Sequence, residues 1–367
     1  MNRRSPRIIA PIIITIAILI TLQPGIGYVS GSNTNQINDS VKIEASETAI
    51  PDENASQTIL PVSDISPFTE PEKPIAHPDP PTGQLPIYSD EQWALDRISI
   101  SALWQNTKGN PEVLVAVLDT GINSCHEDLE GQVAAEANFV DSPSCNDKHG
   151  HGTHIAGIIA SLENDTGTTG VAPESQLLNV KVADDNGKCR ASDLAEGIIW
   201  AADNGASVIN ISIEIAEKSA KLEEAINYAW SEGCLIVGAA GNDGSQSPVY
   251  PAAYENCIAV AATDRNDTLA LLSNHGEWVD MAAPGSGIYS TLPDNRYGLK
   301  TGTSFACAHV SGTAALLFDI LVDTDGNGRM NNEVREALES ECRAVNIKGT
   351  GNGLLDAAGM ASTFDID

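Results

Sequence analysis

Residues 114–121 read LVAVLDTG: five apolar residues run directly into Asp119, and Gly121 follows two positions later. A continuous apolar run of this length is typical of a strand that is buried on both faces of a sheet. The strand therefore brings a carboxylate to its own buried end. Because an ionised carboxylate is costly to bury alone, Asp119 needs a hydrogen-bonding or charged partner from elsewhere in the chain.

Similar apolar runs recur downstream and alternate with longer amphipathic stretches, which predicts an α/β fold with a mostly parallel central sheet flanked by helices. Ligands of such sheets bind at the carboxyl ends of the strands. The predicted strands are Val113–Asp119, Leu177–Val182, Ser207–Ile211, Cys234–Ala239, Cys257–Ala261 and Trp278–Met281. The predicted helices are Gly152–Leu162, Ala191–Asn204, Ala220–Glu232, Ser304–Leu321 and Asn332–Ser340.

Two later motifs supply candidate partners for Asp119. Residues 147–154 read DKHGHGTH and put His151 at the start of an apolar helical stretch. Residues 301–309 read TGTSFACAH and put the Ser304 hydroxyl at a helix N-terminus, which favours developing negative charge. A serine hydroxyl needs a base to attack an amide, and a buried carboxylate can orient and stabilise that base. We therefore predict a catalytic triad of Asp119, His151 and Ser304.

The order of these three residues and three motifs around them resemble the subtilisin-like (S8) serine peptidases over about residues 92–361. The motifs are VLDTGI at 117–122, HGTHIAG at 151–157 and GTSFA, two further residues and HV at 302–310. The resemblance implies a three-layer fold and a secreted endopeptidase that hydrolyses peptide bonds through an acyl-enzyme intermediate. It also implies a cis-proline turn at Tyr250-Pro251.

The same resemblance implies how the substrate and the oxyanion are held. The side-chain amide of Asn242 and the backbone N–H of Ser304 would form the oxyanion hole. An extended substrate strand would lie between two edge segments, with main-chain bonds supplying affinity. The substrate-binding residues predicted in this way are Gly187, Lys188, Cys189, Ser212, Ile213, Glu214 and Gly241.

Three residues near this site depart from the usual pattern of the family. Glu214 stands where glycine is usual, Phe305 replaces methionine and Ala308 replaces proline. Glu214 borders the region for the substrate residue that precedes the scissile bond, the P1 residue. An inward carboxylate would favour a basic or polar P1 residue, whereas a carboxylate in solvent would have no effect. We hypothesise a weak bias towards basic P1 residues.

A calcium site is implied by the loop at residues 162–168 together with Asp128, which resemble the strong calcium site of the family. Carboxylate, amide and carbonyl oxygens are the ligands that Ca²⁺ prefers. We expect a structural Ca²⁺ bound by Asp128, Leu162, Asn164, Thr166 and Thr168.

A second loop, DTDGNG at residues 323–328, matches the first half of an EF-hand loop. The twelfth position is Val334, however, and Glu333 lies one place early. We interpret the segment as a helix-to-helix loop that ends in a cap at Asn331 or Asn332.

Other functions fit the sequence less well. The DTG motif recurs at residues 165–167, so an aspartic peptidase with Asp119 and Asp165 is an alternative. Asp165 follows no apolar strand, however, and an aspartic peptidase would give His151 and Ser304 no catalytic role. The histidines at 149, 151 and 154 suggest zinc, but no further ligand group is evident. A non-catalytic protein that keeps the fold is the alternative from another class.

The N-terminal quarter predicts export. Within residues 1–30, three arginines precede an apolar run at residues 8–22 that is shorter than the roughly 20 residues of a spanning helix. We predict a signal peptide cleaved near residues 29–31, with an uncleaved N-terminal anchor as the alternative. Residues 31–86, rich in Ser, Asn, Pro and Glu, predict an acidic flexible spacer or a reduced propeptide. Residues 87–365 then form the catalytic domain, outside the cytoplasm.

The charge of the chain restricts its partners. Twenty Lys and Arg residues against fifty Asp and Glu residues give a formal net charge of −30. Such a charge repels phosphate backbones and anionic lipid headgroups, so we expect no nucleic-acid partner. We expect polypeptide substrates and a monomer, with membrane association only if the N-terminal segment stays uncleaved.

Seven cysteines lie in the part of the chain expected outside the cytoplasm, where disulfides persist. The pairs expected first are Cys125 with Cys145 and Cys234 with Cys257, since each pair flanks one loop or opens neighbouring strands. The alternative is that most cysteines are small buried residues, which we expect for Cys307 in its apolar helix start.

Overall fold

The computed structural model describes residues 90–363, so the predicted segments 1–30 and 31–86 lie outside the described residues. Short 3₁₀ turns occupy Asp90–Gln92 and Ile100–Gln105. The strands are β1 (Leu114–Asp119), β2 (Val133–Asn138), β3 (Gln176–Lys181), β4 (Ala206–Ile211), β5 (Leu235–Ala239), β6 (Ile258–Thr263), β7 (Met281–Pro284), β8 (Ile288–Leu292) and β9 (Arg296–Lys300). The helices are α1 (Trp93–Arg97), α2 (His151–Ala160), α3 (Ala191–Asp203), α4 (Ala220–Ser231), α5 (Thr303–Ile320), α6 (Asn331–Ser340) and α7 (Ala357–Thr363).

Seven of the strands form one parallel sheet in the order β2-β3-β1-β4-β5-β6-β7. Strands β8 and β9 pair as a separate antiparallel hairpin. Strand β1 lies between β3 and β4, with Asp119 opposite Lys181 and Leu118 opposite Ile211. The predicted α/β class is therefore confirmed, and Asp119 stands at the carboxyl edge of an inner strand.

Apolar side chains cover both faces of this sheet, because successive residues of a strand point to opposite sides. Val115 and Val117 of β1 belong to a buried cluster that also contains residues of α2 and α5. Ala116 and Leu118 belong to a second cluster with residues of α3 and α4. Helices on both faces give the three-layer arrangement.

The predicted helices and strands match the observed ones within a few residues, with informative exceptions. Strand β7 begins at Met281, three residues later than predicted, because the carboxylate of Asp280 accepts a hydrogen bond from Ala259 N at 2.7 Å just before it. Strand β2 was missed: its sequence VAAEAN is poor in β-branched and aromatic residues, and its burial alternates as at an edge. The hairpin β8–β9 was missed as well.

All seven cysteines are free, so the expected pairs Cys125–Cys145 and Cys234–Cys257 are wrong. Cys234 and Cys257 instead pack as small buried side chains in the α3–α4 cluster. Burial raises the pKa of the Cys234 thiol to about 12, which keeps it protonated at neutral pH. Cys307 is fully buried as expected.

The Tyr250-Pro251 peptide is cis, as the resemblance implied. No helix among residues 90–363 has the length and apolarity to cross a membrane.

Candidate active site

The buried carboxylate of Asp119 is paired with His151. Strand β1 ends at Asp119 and helix α2 begins at His151, and these side chains are 0% and 2% exposed. His151 Nδ1 lies 2.8 Å from Asp119 Oδ1 and 2.9 Å from Oδ2. Thr120 N donates to the same Oδ1 at 2.7 Å. Because Nδ1 faces the carboxylate, Nε2 is the ring nitrogen that can receive a proton from a nucleophile.

Glycines at two positions permit this close approach of helix and strand. A Cβ at Gly152 would clash with the carbonyl oxygen of Gly121 and lie 3.1 Å from Asp119 Cβ. Gly121 itself has a φ of +103°, a conformation that favours glycine. The start of α2 can therefore lie directly against the end of β1.

Asp147 holds the start of α2 in place, a role that sequence reasoning missed. Its buried carboxylate accepts bonds from the backbone of His149, Gly150 and Thr153 at 2.8–2.9 Å. It also accepts from the Thr153 and Thr120 hydroxyls at 2.7 and 2.9 Å. The available signal was an acidic residue just before a helix start, where carboxylates satisfy unpaired N–H groups.

Ser304 is the second residue of α5 and is 5% exposed. Its hydroxyl donates to the carbonyl oxygen of Ser212 at 3.4 Å. The ring of the neighbouring Phe305 lies 5.6 Å from the His151 ring and 4.7 Å from the His154 ring. The structure thus brings the start of α5 against the start of α2.

Asn210, a fully buried residue of β4, connects helix α5, which carries Ser304, to the sheet. Its Oδ1 accepts from the Ser311 hydroxyl at 2.9 Å, and its Nδ2 donates to Ser212 Oγ at 3.1 Å. Ser212 Oγ in turn donates to the carbonyl oxygen of Ser304 at 3.1 Å. This buried amide was not singled out from the sequence, where it is one of two polar residues in a mostly apolar strand.

Asn242 follows β5 and is 6% exposed. Its Oδ1 accepts from Thr303 N at 2.8 Å and from Thr303 Oγ1 at 3.2 Å. Thr303 Oγ1 also accepts from Gly241 N at 3.1 Å. Since the oxygen end of the amide faces the residue before Ser304, the Nδ2 end is the one able to donate to a substrate.

The predicted substrate-binding segments follow strands β3 and β4, on either side of the strand that carries Asp119. Residues 187–189 lie in a turn closed by an antiparallel bridge between Ala183 and Cys189. Lys188 is exposed and the Cys189 side chain is buried. Ser212 and Ile213 come directly after β4 and are both buried.

The Glu214 side chain points inward. A Cβ at Gly241 would clash with Glu214 Oε2, and that oxygen is buried without a hydrogen-bond partner. The backbone N–H of Asn242 donates to the carboxylate. Burial, with a smaller contribution from Asp243, raises the pKa of Glu214 to about 7. The alternative of a carboxylate directed into solvent is therefore wrong.

Of the five residues expected to bind calcium, Asp128 supplies a buried carboxylate, and the other four belong to the loop at residues 162–168 beside it. Asp128 is 0% exposed and accepts from Thr168 N at 2.8 Å and from Asn164 Nδ2 at 3.1 Å. The Thr166 hydroxyl lies 3.5 Å from the same carboxylate, and Leu162 N donates to the Asp128 carbonyl. An ion-pair partner of Asp128 is absent within residues 90–363. This oxygen-rich set around an unpaired buried charge fits Ca²⁺.

The loop at residues 323–328 connects helices α5 and α6, as interpreted from the sequence, but the expected cap is absent. Carboxylate oxygens of Asp323, Asp325 and Glu333 lie within 4.8 Å of one another. The expected cap at Asn331 or Asn332 is wrong: Met330 is the N-cap residue, and Asn331 Nδ2 donates to the carbonyl oxygen of Trp230. Glu333 Oε1 instead accepts from Thr324 N at 3.0 Å.

The aspartic-peptidase alternative does not fit the structure. Asp165 is exposed, has a φ of +65° and belongs to the loop beside Asp128, whereas Asp119 ends a buried strand. The two carboxylates therefore occupy unlike sites. The histidines also face different partners, since His154 Nε2 lies 3.1 Å from the carbonyl oxygen of Gly298 while His151 faces Asp119.

We predict that Asp147→Ala lowers the free energy of unfolding by about 3 kcal/mol or more, because several buried donors lose their acceptor. Urea denaturation of the purified variant measures the change. Asp141→Ala is the control: Asp141 is exposed six residues away, and its loss should change stability by less than about 0.5 kcal/mol. Equal stability of the two variants would contradict the role given to Asp147.

Comparison with known proteins agrees with this geometry. A family model described as the subtilase family matches residues 110–358. A thermophilic serine proteinase of Bacillus sp. (strain AK1) is 45% identical over 266 residues, which are 72% of this chain and 64% of that protein. Thermitase of Thermoactinomyces vulgaris is 42% identical over 72% of this chain and 92% of its own length. Subtilisin BL of Lederbergia lenta is 41% identical over 72% and 96%. The chain belongs to the subtilase family of serine endopeptidases.

Proposed function

We propose that Asp119, His151 and Ser304 are the catalytic residues with which this chain hydrolyses peptide bonds in polypeptide substrates. The observation that supports this most directly is the buried Asp119–His151 hydrogen bond of 2.8 Å. This pair lies beside the start of helix α5, which carries the Ser304 hydroxyl. A histidine oriented by a carboxylate beside a serine at a helix N-terminus suits acyl transfer.

The proposed reaction has two halves. Ser304 Oγ attacks the carbonyl carbon of the scissile amide while His151 takes its proton, and Asp119 stabilises the imidazolium. His151 then gives the proton to the leaving amine, which leaves an acyl group on Ser304. In the second half, water attacks this ester with His151 as base, and the carboxylic acid product is released.

The oxyanion formed in each half would be held by Asn242 Nδ2 and the backbone N–H of Ser304. Two features support Asn242 in this role: its Oδ1 is fixed by Thr303, and Thr303 immediately precedes the nucleophile. Donors that are oriented before the reaction stabilise developing charge without reorganisation.

The substrate would add as an extended strand between residues 187–189 and residues 212–214. These segments follow β3 and β4 and flank the strand that ends in Asp119, so a peptide between them passes over the triad. Main-chain hydrogen bonds then supply affinity, and side-chain pockets supply selectivity.

We also propose that the protein acts outside the cell. Support comes from the export-signal pattern of residues 1–30. Residues 31–86 would serve as a spacer or a reduced propeptide, and residues 87–365 as the catalytic domain, active as a monomer.

Ser304→Ala is expected to abolish casein hydrolysis and labelling by a fluorophosphonate probe, because both need the hydroxyl. Activity and labelling of the purified wild type and variant are compared at equal folding by circular dichroism. Ser247→Ala, at an exposed serine, is the control that should keep both. Turnover that survives in Ser304→Ala, or that is blocked by a pepstatin-type inhibitor, would refute the assignment.

Asn242→Ala is expected to lower kcat by about 10²–10³, the magnitude known for loss of such a donor in subtilisin. The KM should change much less, because the interaction forms in the transition state. Steady-state kinetics on a chromogenic peptide give both constants. An unchanged kcat in a folded variant would remove Asn242 from the oxyanion hole.

We propose in addition that Asp128 and the loop at residues 162–168 bind a structural Ca²⁺. The ion would neutralise the buried Asp128 carboxylate and fix the loop that follows α2. It has no part in the chemical steps.

Calcium is expected to raise the melting temperature by about 5–10 °C, because it binds the folded state alone. Ser304→Ala serves as the parent, so that self-digestion does not affect the readout. Melting is compared in excess CaCl₂ and in EGTA, for the parent and for Asp128→Asn. Glu130→Gln, at an exposed neighbour, is the control that should keep the full shift. A full shift in Asp128→Asn would place the ion elsewhere.

A further inference from the structure

Glu214 connects the two segments that border the nucleophile. It follows Ser212, whose carbonyl oxygen accepts from the Ser304 hydroxyl. Its own carboxylate reaches Gly241 and accepts from the backbone N–H of Asn242. The side chain therefore lies across the space between the segment after β4 and the segment after β5, and both segments contact the residues at the start of α5.

One oxygen of this carboxylate has no partner. Glu214 Oε2 is buried without a hydrogen bond. The charged group that faces Glu214 is Asp243, a second carboxylate, and neither residue forms an ion pair with a cation of residues 90–363. A buried acceptor beside a like charge is unfavourable unless a donor, above all a cationic one, reaches it.

A neutral amide group also borders this space. Asn274 Oδ1 accepts from Asp243 N at 3.0 Å and from Ser245 N at 2.9 Å, which fixes the side chain. Its Nδ2 is buried without a partner and would clash with a Cβ at Gly241. A substrate amide could use both Asn274 and Glu214, whereas a substrate cation would use Glu214 alone.

We propose that Glu214 is a specificity-determining residue that selects a substrate with lysine or arginine at P1, by binding its cationic end through Oε2. The two carboxylates and the lack of a cation among the described neighbours favour a charged substrate group over a neutral amide. The inference rests on the proposed function, because the pocket matters only if Ser304 is the nucleophile.

Four peptides that differ only at P1, with lysine, phenylalanine, glutamine or alanine, test this proposal. Above pH 8, the wild type is expected to cleave the lysine peptide with a kcat/KM about 10- to 100-fold above that of phenylalanine, the worth of one charge-assisted hydrogen bond. Glu214→Gln keeps the shape of the side chain and should bring the lysine-to-phenylalanine ratio close to 1. Glu217→Gln, at an exposed residue three positions away, should keep the wild-type ratio.

The pH dependence of the ratio gives a second readout. Burial and Asp243 raise the pKa of Glu214 to about 7, so its carboxyl is neutral below that pH and anionic above it. The lysine-to-phenylalanine ratio should therefore rise between pH 6 and about pH 8 in the wild type and stay flat in Glu214→Gln. Effects of pH on the triad cancel, because both peptides use the same catalytic groups.

The outcomes separate this inference from the proposed function. An enzyme that cleaves casein but treats lysine and phenylalanine alike overturns the role of Glu214 alone. So does a preference for glutamine over lysine, or a lysine preference that persists in Glu214→Gln. A folded wild type that cleaves neither casein nor any of the four peptides overturns the proposed function itself.

Discussion

The structure depends on one buried charge, the carboxylate of Asp119 at the end of an inner parallel strand. With 0% exposure it has no water to stabilise it, so the fold must supply donors. His151 and the Thr120 N–H do so. The fully buried Lys181 lies opposite on β3, where its ammonium contacts the Thr120 carbonyl and lies 3.1 Å from Asp185. The histidine beside the end of β1 therefore also stabilises the buried carboxylate.

Two buried polar side chains fix the positions of helices α2 and α5 at this edge of the sheet. Asp147 accepts hydrogen bonds from backbone N–H groups at the start of α2. Asn210 connects β4 to α5 through Ser311 and Ser212. Both helices therefore have their N-termini tied to the same edge of one sheet. In the proposed mechanism, this attachment would orient His151 and Ser304 before substrate arrives.

The sequence was sufficient to predict the strands and helices whose residues form a continuous apolar or amphipathic pattern. Apolar runs predicted the inner strands, and the predicted starts of α2 and α5 lie within one residue of the observed ones. It was insufficient for features that depend on contacts between segments that are distant in the sequence. Strand β2 owes its place to pairing with β3 and not to its alanine-rich composition. The inward direction of Glu214 depends on how the segment after β4 packs against Gly241, and the absence of disulfides depends on how cysteines such as Cys234 pack.

The position of Glu214 has a consequence for catalysis beyond binding. Its carboxylate accepts from the backbone of Asn242, whose side chain we assign to the oxyanion hole. A full negative charge so close to a developing oxyanion opposes it, and the effect is strong where water is excluded. Two conditions remove that charge: protonation, which a pKa of about 7 makes accessible, and pairing with a cation from the substrate. In the role that we propose for Glu214, a basic P1 residue would neutralise the charge when it binds, and selectivity at this position would then act on kcat as well as on KM.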